Sequence, residues 1–206
     1  LAVMCGLRAA EARLELACSD HPVALIRRFD RKGESRIPYI STRTALDWQS
    51  EAGGFYTDIA DLIRQISSNP VDDLHELWRR IVFTILVSNT DDHLKNHGFI
   101  YAGSDRWRLS PAFDINPSPA RHRILETGIV RGGSFDASLD MALEACVFFE
   151  LTPQEAARTA KTMAETLSRE WKQALRNEGA SPGDIGVYAD AFEHAEADKA
   201  LNLDAS

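Results

Sequence analysis

The sequence predicts an α+β domain that is mostly α-helical and has a small β component. Apolar residues recur at three- and four-residue steps over 74–86, 160–171 and 185–192, which is the spacing of one buried helix face. Extended signals are short and few. Hydrophobic residues make up 44% and charged residues 26% of the 206 residues, as in ordinary globular domains, and this length suits one core.

Local signals predict the individual elements and several of their ends. Asn69 before Pro70, Thr152 with Glu155 three residues later, and Ser181 before Pro182 are helix-start patterns. The predicted elements are a strand at 22–29 ending in a turn at 30–33, helices at 41–50 and 56–67, a helix from Pro70 to about residue 87, a hairpin of 99–101 with 107–109, and helices beginning near Ser134, Pro153 and Pro182.

The composition argues against several classes of protein. The formal net charge of -8 gives the chain no overall attraction to nucleic acid or to anionic membranes. Cysteines occur only at positions 5, 18 and 146, without a C-x-x-C pair, which favours free thiols in a reducing, cytoplasmic compartment. No apolar run approaches the ~20 residues of a membrane span, and we interpret the apolar start at 1–5 as the end of a helix rather than a signal peptide.

A dense polar cluster follows the long buried helix and precedes the hairpin. Its sequence is Asn89-Thr90-Asp91-Asp92-His93-Leu94-Lys95-Asn96. Phosphotransferases of the protein-kinase type use the five-residue step from Asp91 to Asn96, with the aspartate orienting the attacking hydroxyl and the asparagine holding Mg²⁺. Asp114 follows the hairpin and can offer a second hard oxygen ligand. The order of these residues therefore predicts half of a phosphoryl-transfer site.

These motifs closely resemble those of a known kinase family. Asn89–Phe99 and Leu109–Pro117 resemble the catalytic and metal-binding motifs of HipA-type serine/threonine protein kinases, the toxins of bacterial toxin–antitoxin pairs. Residues 25–31 resemble the hinge of that family, and 137–149 and 189–194 resemble its helical lobe. The resemblance implies that residues 1–206 form the C-terminal domain of such a kinase, with a protein-kinase-like or phosphoinositide-kinase-like C-lobe that carries a short hinge strand and a β-hairpin.

The resemblance also implies roles for individual residues. Asp91 matches the catalytic base, and His93 is the second catalytic candidate beside it. With ATP and Mg²⁺ as cofactors, Asn96 and Asp114 match the metal ligands. The residues that match nucleotide contacts are Arg27, Arg28, Phe29, His93, Leu94, Lys95, Asn96, Phe113 and Asp114. The implied partners are a protein substrate, in the family an aminoacyl-tRNA synthetase, and a HipB-like antitoxin, through which DNA is contacted only indirectly; no membrane is involved.

One part of the family pattern is not found before the hinge. The family needs a phosphate-binding loop and an ATP-binding lysine there, whereas the residues before Phe29 contain no lysine and only one glycine, Gly6. The chain as given is therefore expected to lack the N-terminal lobe, to bind ATP poorly and to transfer phosphate slowly, if at all.

Two other functions stay open at this point. The first is an inactive module that binds an antitoxin partner. The second is a metal-dependent phosphohydrolase built on Asp91, Asp92, His93 and Asp114, which would depend strongly on His93 and His97. The step of four from His93 to His97 suits a metal pair, but the cysteine or glutamate of zinc motifs does not accompany it.

Overall fold

The computed structural model describes residues 1–17, 21–50, 53–119 and 123–204, so Cys18 lies outside the described residues. The α-helices are α1 (Thr42–Ala45), α2 (Tyr56–Ile66), α3 (Pro70–Leu86), α4 (Leu139–Glu144), α5 (Pro153–Asn177), α6 (Pro182–Phe192) and α7 (Ala195–Leu201). The strands are β1 (Ala12–Glu15), β2 (Val23–Ile26), β3 (Arg31–Lys32), β4 (Ser35–Arg36), β5 (Tyr39–Ser41), β6 (Gly98–Gly103) and β7 (Arg106–Leu109). The predicted α+β, mostly helical class is confirmed.

The core forms around α3, whose predicted apolar stripe is buried. Trp78 lies at its centre with no exposed surface, and its indole Nε1 donates to the carbonyl of Ala142 at 2.9 Å, which ties α3 to α4. The rings of Trp171 and Phe192 stack with centroids 4.8 Å apart and join α5 to α6. No helix within the described residues combines the length and apolarity that crossing a membrane requires.

Three small antiparallel sheets lie on this helical body. β1 pairs with β2, β3 pairs with β4, and β5, β6 and β7 form one sheet in that order. The predicted hairpin is β6–β7, and β5 extends it by pairing Tyr39 with Ile100. This third strand was not predicted, because its partner is distant in sequence and three residues carry little local pattern.

Several predicted boundaries were wrong. The helix expected at 41–50 is a single turn, after which Asp47 has a φ of 49° that no α-helix continues. The helix expected from Ser134 begins at Leu139, because Ser138 is the residue whose hydroxyl caps it, and it passes into a 3₁₀ helix at Ala145–Phe149. The turn expected at 30–33 is the start of the β3–β4 hairpin.

The two ends of the chain also differ from the prediction. Residues 1–5 form hydrogen-bonded turns rather than the end of a helix, with the Cys5 amide bonded to the carbonyl of Leu1 at 3.0 Å. α6, expected as the last helix, is followed by α7, whose Ala200 enters the same core. A seven-residue helix offers too few apolar positions for its period to be recognised in the sequence.

Helix α5 begins in the predicted capping box. The Thr152 hydroxyl accepts from the Glu155 amide at 3.2 Å, and the Glu155 carboxylate accepts from the Thr152 amide at 3.0 Å. We expect Thr152→Ala to lower the free energy of unfolding by about 1 kcal/mol, measured by urea denaturation. The matched control is Thr162→Ala on the same helix, where the hydroxyl only bonds back to the Arg158 carbonyl, so stability should hold or rise slightly. Equal losses at both positions would contradict the capping role.

Candidate active site

The buried side chain of Asp92 anchors the polar loop that connects α3 to β6. This side chain is buried, and its Oδ2 accepts hydrogen bonds from the Tyr56 hydroxyl of α2 and from His97 Nε2, the latter at 2.9 Å. The Tyr56 and His97 rings meet edge to face with centroids 5.5 Å apart. Asp92 therefore faces the interior while its neighbour Asp91 is exposed.

A neighbouring charge and two hydrogen bonds favour the ionised form of Asp92 against the effect of burial. Burial by itself would raise the pKa of Asp92, but the charge of His97 and the hydrogen bonds from His97 and Tyr56 outweigh it and lower the pKa. Burial, and then the adjacent carboxylate, raise the pKa of Tyr56, so its hydroxyl keeps its proton and remains a donor. The carboxylate of Asp92 is therefore held between two donors, while His97 Nδ1 is buried without a hydrogen-bond partner among the described residues.

Backbone hydrogen bonds hold the rest of the loop to its surroundings. The Thr42 amide donates to the His97 carbonyl at 2.9 Å, and the Arg43 amide donates to the Leu94 carbonyl at 3.2 Å. On the other side, the Glu126 amide donates to the Thr90 carbonyl at 3.2 Å. Backbone hydrogen bonds to residues 42–43 and to residue 126 therefore fix the loop in addition to the contacts of Asp92. Such rigidity suits a loop that positions reactive groups.

Asn96 is oriented by the loop itself. Its side-chain Nδ2 donates to the backbone carbonyl of Asp91 at 3.1 Å, and its backbone amide donates to the His93 carbonyl at 2.8 Å. Its Oδ1 receives no hydrogen bond from the described residues, so this amide oxygen is left for another ligand. This side-chain oxygen is the atom through which an asparagine binds Mg²⁺.

Asp114 has an unusual backbone conformation. It is exposed and has a φ of 57°, in the left-handed region that non-glycine residues seldom occupy. Asn116 Nδ2 donates to its Oδ1 at 2.9 Å, which leaves Oδ2 without a donor from the described residues. Such conformations concentrate at functional sites, and the free carboxylate oxygen fits a hard cation.

A buried ion pair on α3 positions the segment before Asp114. Glu76 and Arg80 are both buried, and Arg80 Nε donates to Glu76 at 3.0 Å. A terminal nitrogen of Arg80 then donates to the Ser110 carbonyl at 2.6 Å. Two residues further on, the Ala112 amide bonds to the Arg8 carbonyl at 2.7 Å. These hydrogen bonds fix the backbone that leads to Asp114.

An open, largely apolar cleft of about 440 Å³ lies beside these two segments. Phe29, Tyr39 and Phe113 form its aromatic part, with ring centroids 5.7 to 6.5 Å apart. The described residues that line the cleft are Ile26, Arg27, Arg28, Phe29, Asp30, Tyr39, Ser41, Lys95 and Phe113. Lys95 and Phe113 directly precede Asn96 and Asp114, so the cleft brings together the hinge, the polar loop and the Asp114 segment.

The guanidinium groups of the hinge are already engaged. Arg27 bonds to the Glu11 carboxylate at 3.0 Å, and its amide donates to the Glu11 carbonyl at 2.8 Å. Arg28 bonds to both oxygens of Asp30 at 2.8 and 2.5 Å. A ligand in the cleft would therefore contact backbone groups and the Phe29 ring rather than free guanidinium groups.

A second, smaller cavity of about 120 Å³ adjoins the same loop. His93, Leu94 and Lys95 line it, so two of the predicted nucleotide contacts face this cavity rather than the aromatic cleft, and Lys95 lies in the wall of both. His97, in contrast, points to Asp92. The described residues contain no group of three or more His, Cys, Asp or Glu side chains placed to hold a metal.

The functional residues that sequence reasoning missed are those that support the loop. Tyr39 completes the aromatic cleft, and Tyr56 and Arg80 hold the loop and the Asp114 segment. Tyr39 and Tyr56 are distant in sequence from the motifs they support. Asp92 and His97 lie within the motif, but only burial shows that they bind each other.

The family comparison agrees with this geometry. The HipA-like C-terminal domain family matches residues 1–171. The chain belongs to this family. The resemblance predicted from the two motifs is confirmed. Residues of α6 and α7, beyond the matched range, lie in the same hydrophobic core.

Two curated relatives carry provisional kinase names. A Haemophilus influenzae protein is 36% identical over 67 residues, which cover 31% of this chain and 20% of the relative. Kinase Y4mE of Sinorhizobium fredii is 29% identical over 68 residues, which cover 33% of this chain and 16% of the relative. The aligned part is thus a fifth or less of each relative's length.

Solved structures show that the fold of the HipA-like domain is kinase-like. A chain of the Shewanella oneidensis HipA, HipB and operator DNA complex superposes with a TM-score of 0.74 at 16% identity, over 97% of this chain and 52% of that one. The Helicobacter pylori proinflammatory kinase CtkA gives a TM-score of 0.64 at 14% identity, over 97% of this chain and 82% of that one. This chain therefore spans about half the length of the Shewanella chain.

The contacts of the buried Asp92 side chain in the HipA-like domain lead to a prediction about stability. We expect Asp92→Asn to lower the free energy of unfolding by about 1.5–3 kcal/mol, because both donors bond to one charged oxygen, Oδ2, and a neutral amide oxygen accepts from them less strongly. Urea denaturation measures the loss. Tyr56→Phe, which removes only one donor, should cost less than Asp92→Asn, and a larger loss for Tyr56→Phe would contradict the central place of the carboxylate.

Proposed function

We propose that this domain carries the catalytic loop of an ATP-dependent serine/threonine protein kinase of a toxin–antitoxin system. The observation that carries the proposal is the position of the Asp91–Asn96 loop and the Asp114 segment beside one aromatic cleft. The confirmed family membership and the kinase-like fold support it. We propose residues 1–206 as one domain, since residues before and after 171 share one core.

In the proposed reaction, Asp91 orients the serine or threonine hydroxyl and accepts its proton. Its carboxylate is exposed on the loop, so a hydroxyl can reach it, while Asn96 fixes the backbone at the same residue. His93, the second catalytic candidate, lies two residues further on and can contact the phosphate. Positioning and electrostatic stabilisation carry most of the catalysis in phosphoryl transfer, and a rigid loop supplies the former.

ATP fits the aromatic cleft as a cofactor. The adenine ring would lie against Phe29, Tyr39 and Phe113, and backbone groups of residues 27–29 would meet its edge. Asn96 Oδ1 and Asp114 Oδ2 have no other partners among the described residues, so both oxygens are free to bind Mg²⁺. The metal would neutralise charge on the phosphates. The remaining nucleotide contacts, His93 to Lys95, would lie toward the phosphate end.

The rest of the nucleotide site would come from an N-terminal lobe with a phosphate-binding loop and a lysine. The strand pair β1–β2 is exposed along both strands and carries apolar residues, which suits a surface that another part of a kinase covers. Without that lobe we expect weak ATP binding. We propose a cytoplasmic protein with a protein substrate, an aminoacyl-tRNA synthetase being the target class, and a HipB-like antitoxin that contacts DNA. HipB and operator DNA accompany the Shewanella relative, which supports this partner.

The alternative is an inactive module that binds an antitoxin. The exposed β1–β2 pair fits this function equally well, because such a surface can dock a partner. Asn96 Oδ1 and Asp114 Oδ2, which have no partner among the described residues, favour the kinase, since a docking module does not need oxygens that can bind a metal.

Calorimetry of Mg²⁺-ATP binding separates the two proposals. We expect weak, Mg²⁺-dependent binding by this chain and tighter binding by the full-length protein, and Asp114→Asn should remove the Mg²⁺ dependence in both. Asparagine tolerates the left-handed backbone, so the variant should fold. Asp105→Asn is a matched control, an exposed aspartate with a φ of 55° in the hairpin turn. If the full-length protein binds no Mg²⁺-ATP, the kinase proposal is wrong and the docking module stands.

A further inference from the structure

The small cavity beside the polar loop has a composition that the proposed mechanism does not use fully. Its described lining residues are Arg43, Trp48, Ser50, Gly53, His93, Leu94, Lys95 and Glu126. It is built from the α1 turn, the segment after it, the catalytic loop and residue 126. The Arg43 amide is bonded to the Leu94 carbonyl, so the α1 turn and the loop form one wall.

Three basic side chains in this wall have no partner among the described residues. Arg43 and Lys95 form no hydrogen bond or ion pair there, although most arginines of the described chain bond to a carboxylate or a carbonyl. His93 Nδ1 is buried and has no hydrogen-bond partner among the described residues. Unpaired basic groups around one cavity, in a chain of net charge -8, are the features of an anion subsite.

We propose that this cavity binds an acidic side chain of the protein substrate, next to the phosphoacceptor residue. The proposal rests on the proposed kinase function and names a specificity site for it. The subsite consists of Arg43, His93 and Lys95, with Trp48 as its apolar wall. Arg43 is the specificity-determining residue, since it lines this cavity and does not line the nucleotide cleft.

The size of the cavity suits a single side-chain group, and its charge suits a carboxylate. About 120 Å³ holds one side-chain group but not a nucleoside. The described lining contains two cationic side chains, Arg43 and Lys95, and one carboxylate, Glu126, which gives one net positive charge before His93 is counted. That charge balances a glutamate or aspartate of the substrate, whereas it leaves a phosphate dianion partly uncompensated.

The position along the chain suits a residue that flanks the acceptor. The His93 amide bonds to the Asp91 carbonyl at 3.1 Å, so the subsite begins within one turn of the proposed base. Extended peptide advances by ~3.3–3.6 Å per residue, and a long glutamate side chain adds to that reach. An acidic residue one or two positions from the serine can therefore enter the cavity while the hydroxyl meets Asp91.

NMR titration of the ¹⁵N-labelled chain tests this subsite with defined probes. The probes are acetylated pentapeptides with a central serine flanked by glutamates, lysines or glutamines, together with inorganic phosphate and Mg²⁺-ATP. We expect the glutamate peptide alone among the peptides to shift the amides of Arg43, His93, Lys95 and Glu126. Arg43→Gln should weaken that binding about threefold to tenfold, and Glu126→Gln should strengthen it. Arg158→Gln, an exposed arginine on α5, is the matched control.

The other outcomes overturn the proposal. Equal shifts by the lysine peptide, no shift at these residues, or an unchanged affinity in Arg43→Gln would each show that the cavity does not select acidic side chains. Tighter binding of phosphate or Mg²⁺-ATP at Arg43 and Glu126, which line this cavity and not the aromatic cleft, would assign the cavity to the nucleotide instead. Shifts of Phe29 and Phe113 on adding Mg²⁺-ATP report the proposed kinase function separately, so failure of the subsite and failure of the nucleotide site remain distinguishable.

Discussion

Replacement of Asp91 by asparagine is expected to slow phosphoryl transfer by the full-length protein about 10²–10⁴-fold. Asparagine keeps the shape and the polarity of the side chain but cannot accept the proton of the attacking hydroxyl. Asp91 is exposed and its carboxylate has no partner among the described residues, so the substitution should leave the fold intact. The loss should therefore fall on the rate of transfer rather than on stability.

The measurement is transfer of labelled phosphate from ATP to a protein substrate or to the kinase itself, with Mg²⁺-ATP binding followed in parallel. Binding should change little in Asp91→Asn, since Asn96 and Asp114 are the proposed metal ligands. Asp105→Asn, at the far end of β6 in the hairpin turn, removes a similar charge and should leave the rate unchanged. Full activity in Asp91→Asn would show that another group is the base, and His93 would be examined next.

Much of the fold could be predicted from the sequence because its helices carry strong local signals. The apolar stripe of α3, the capping box of α5 and the Ser181 cap of α6 all depend on residues no more than four positions apart in the sequence. Part of what failed depends on distant partners. β5 exists because Ile40 pairs with Phe99, far along the chain. β1 was missed for another reason, since its partner β2 follows closely but all four of its residues are exposed. A three- or four-residue strand has too little pattern to be recognised without its partner.

The candidate site was predictable to a similar degree. The five-residue step from Asp91 to Asn96 and the later Asp114 carry chemistry that a sequence displays directly, and the structure brings their segments to one cleft. The supporting residues do not share this property. Asp73 looks like an ordinary first-turn acid in the sequence, although its side chain is fully buried in the fold. Burial of a charge depends on partners from other elements, which no local pattern contains.

The buried carboxylate of Asp73 leads to the largest expected effect on stability. It accepts from Arg108 through two nitrogens at 3.0 Å, from Arg8 at 2.7 Å, from the Ser67 hydroxyl at 2.6 Å and from the Leu109 amide at 3.0 Å. It thus joins the start of the chain, the β6–β7 hairpin and α3. We expect Asp73→Asn to lower the free energy of unfolding by about 3 kcal/mol, because two arginines lose their buried partner.

Asp72 provides a matched control for Asp73. Its carboxylate bonds to the same two arginines, but its side chain is 46% exposed, whereas that of Asp73 is 0% exposed. Water replaces most of what an exposed ion pair contributes, so Asp72→Asn should cost less than about 1 kcal/mol. Urea denaturation of both variants compares a buried and an exposed carboxylate at one place. Equal losses would mean that the arginines, rather than the burial of Asp73, determine the effect.

The same carboxylate contributes to the dependence of stability on pH. Burial tends to raise the pKa of Asp73, but the hydrogen bonds from Arg108, Ser67, Leu109 and Arg8 together lower it below the ordinary value of 3.8. Because the folded state prefers the ionised form, its contribution is complete above the pKa of the unfolded chain and is lost as pH falls toward the lower folded value. Stability measured from pH 6 down to pH 2 should therefore fall more steeply below about pH 4 in the wild type than in Asp73→Asn. Parallel curves for the two proteins would show that Asp73 does not titrate with folding, and the ionic network would then owe its effect to geometry rather than to charge.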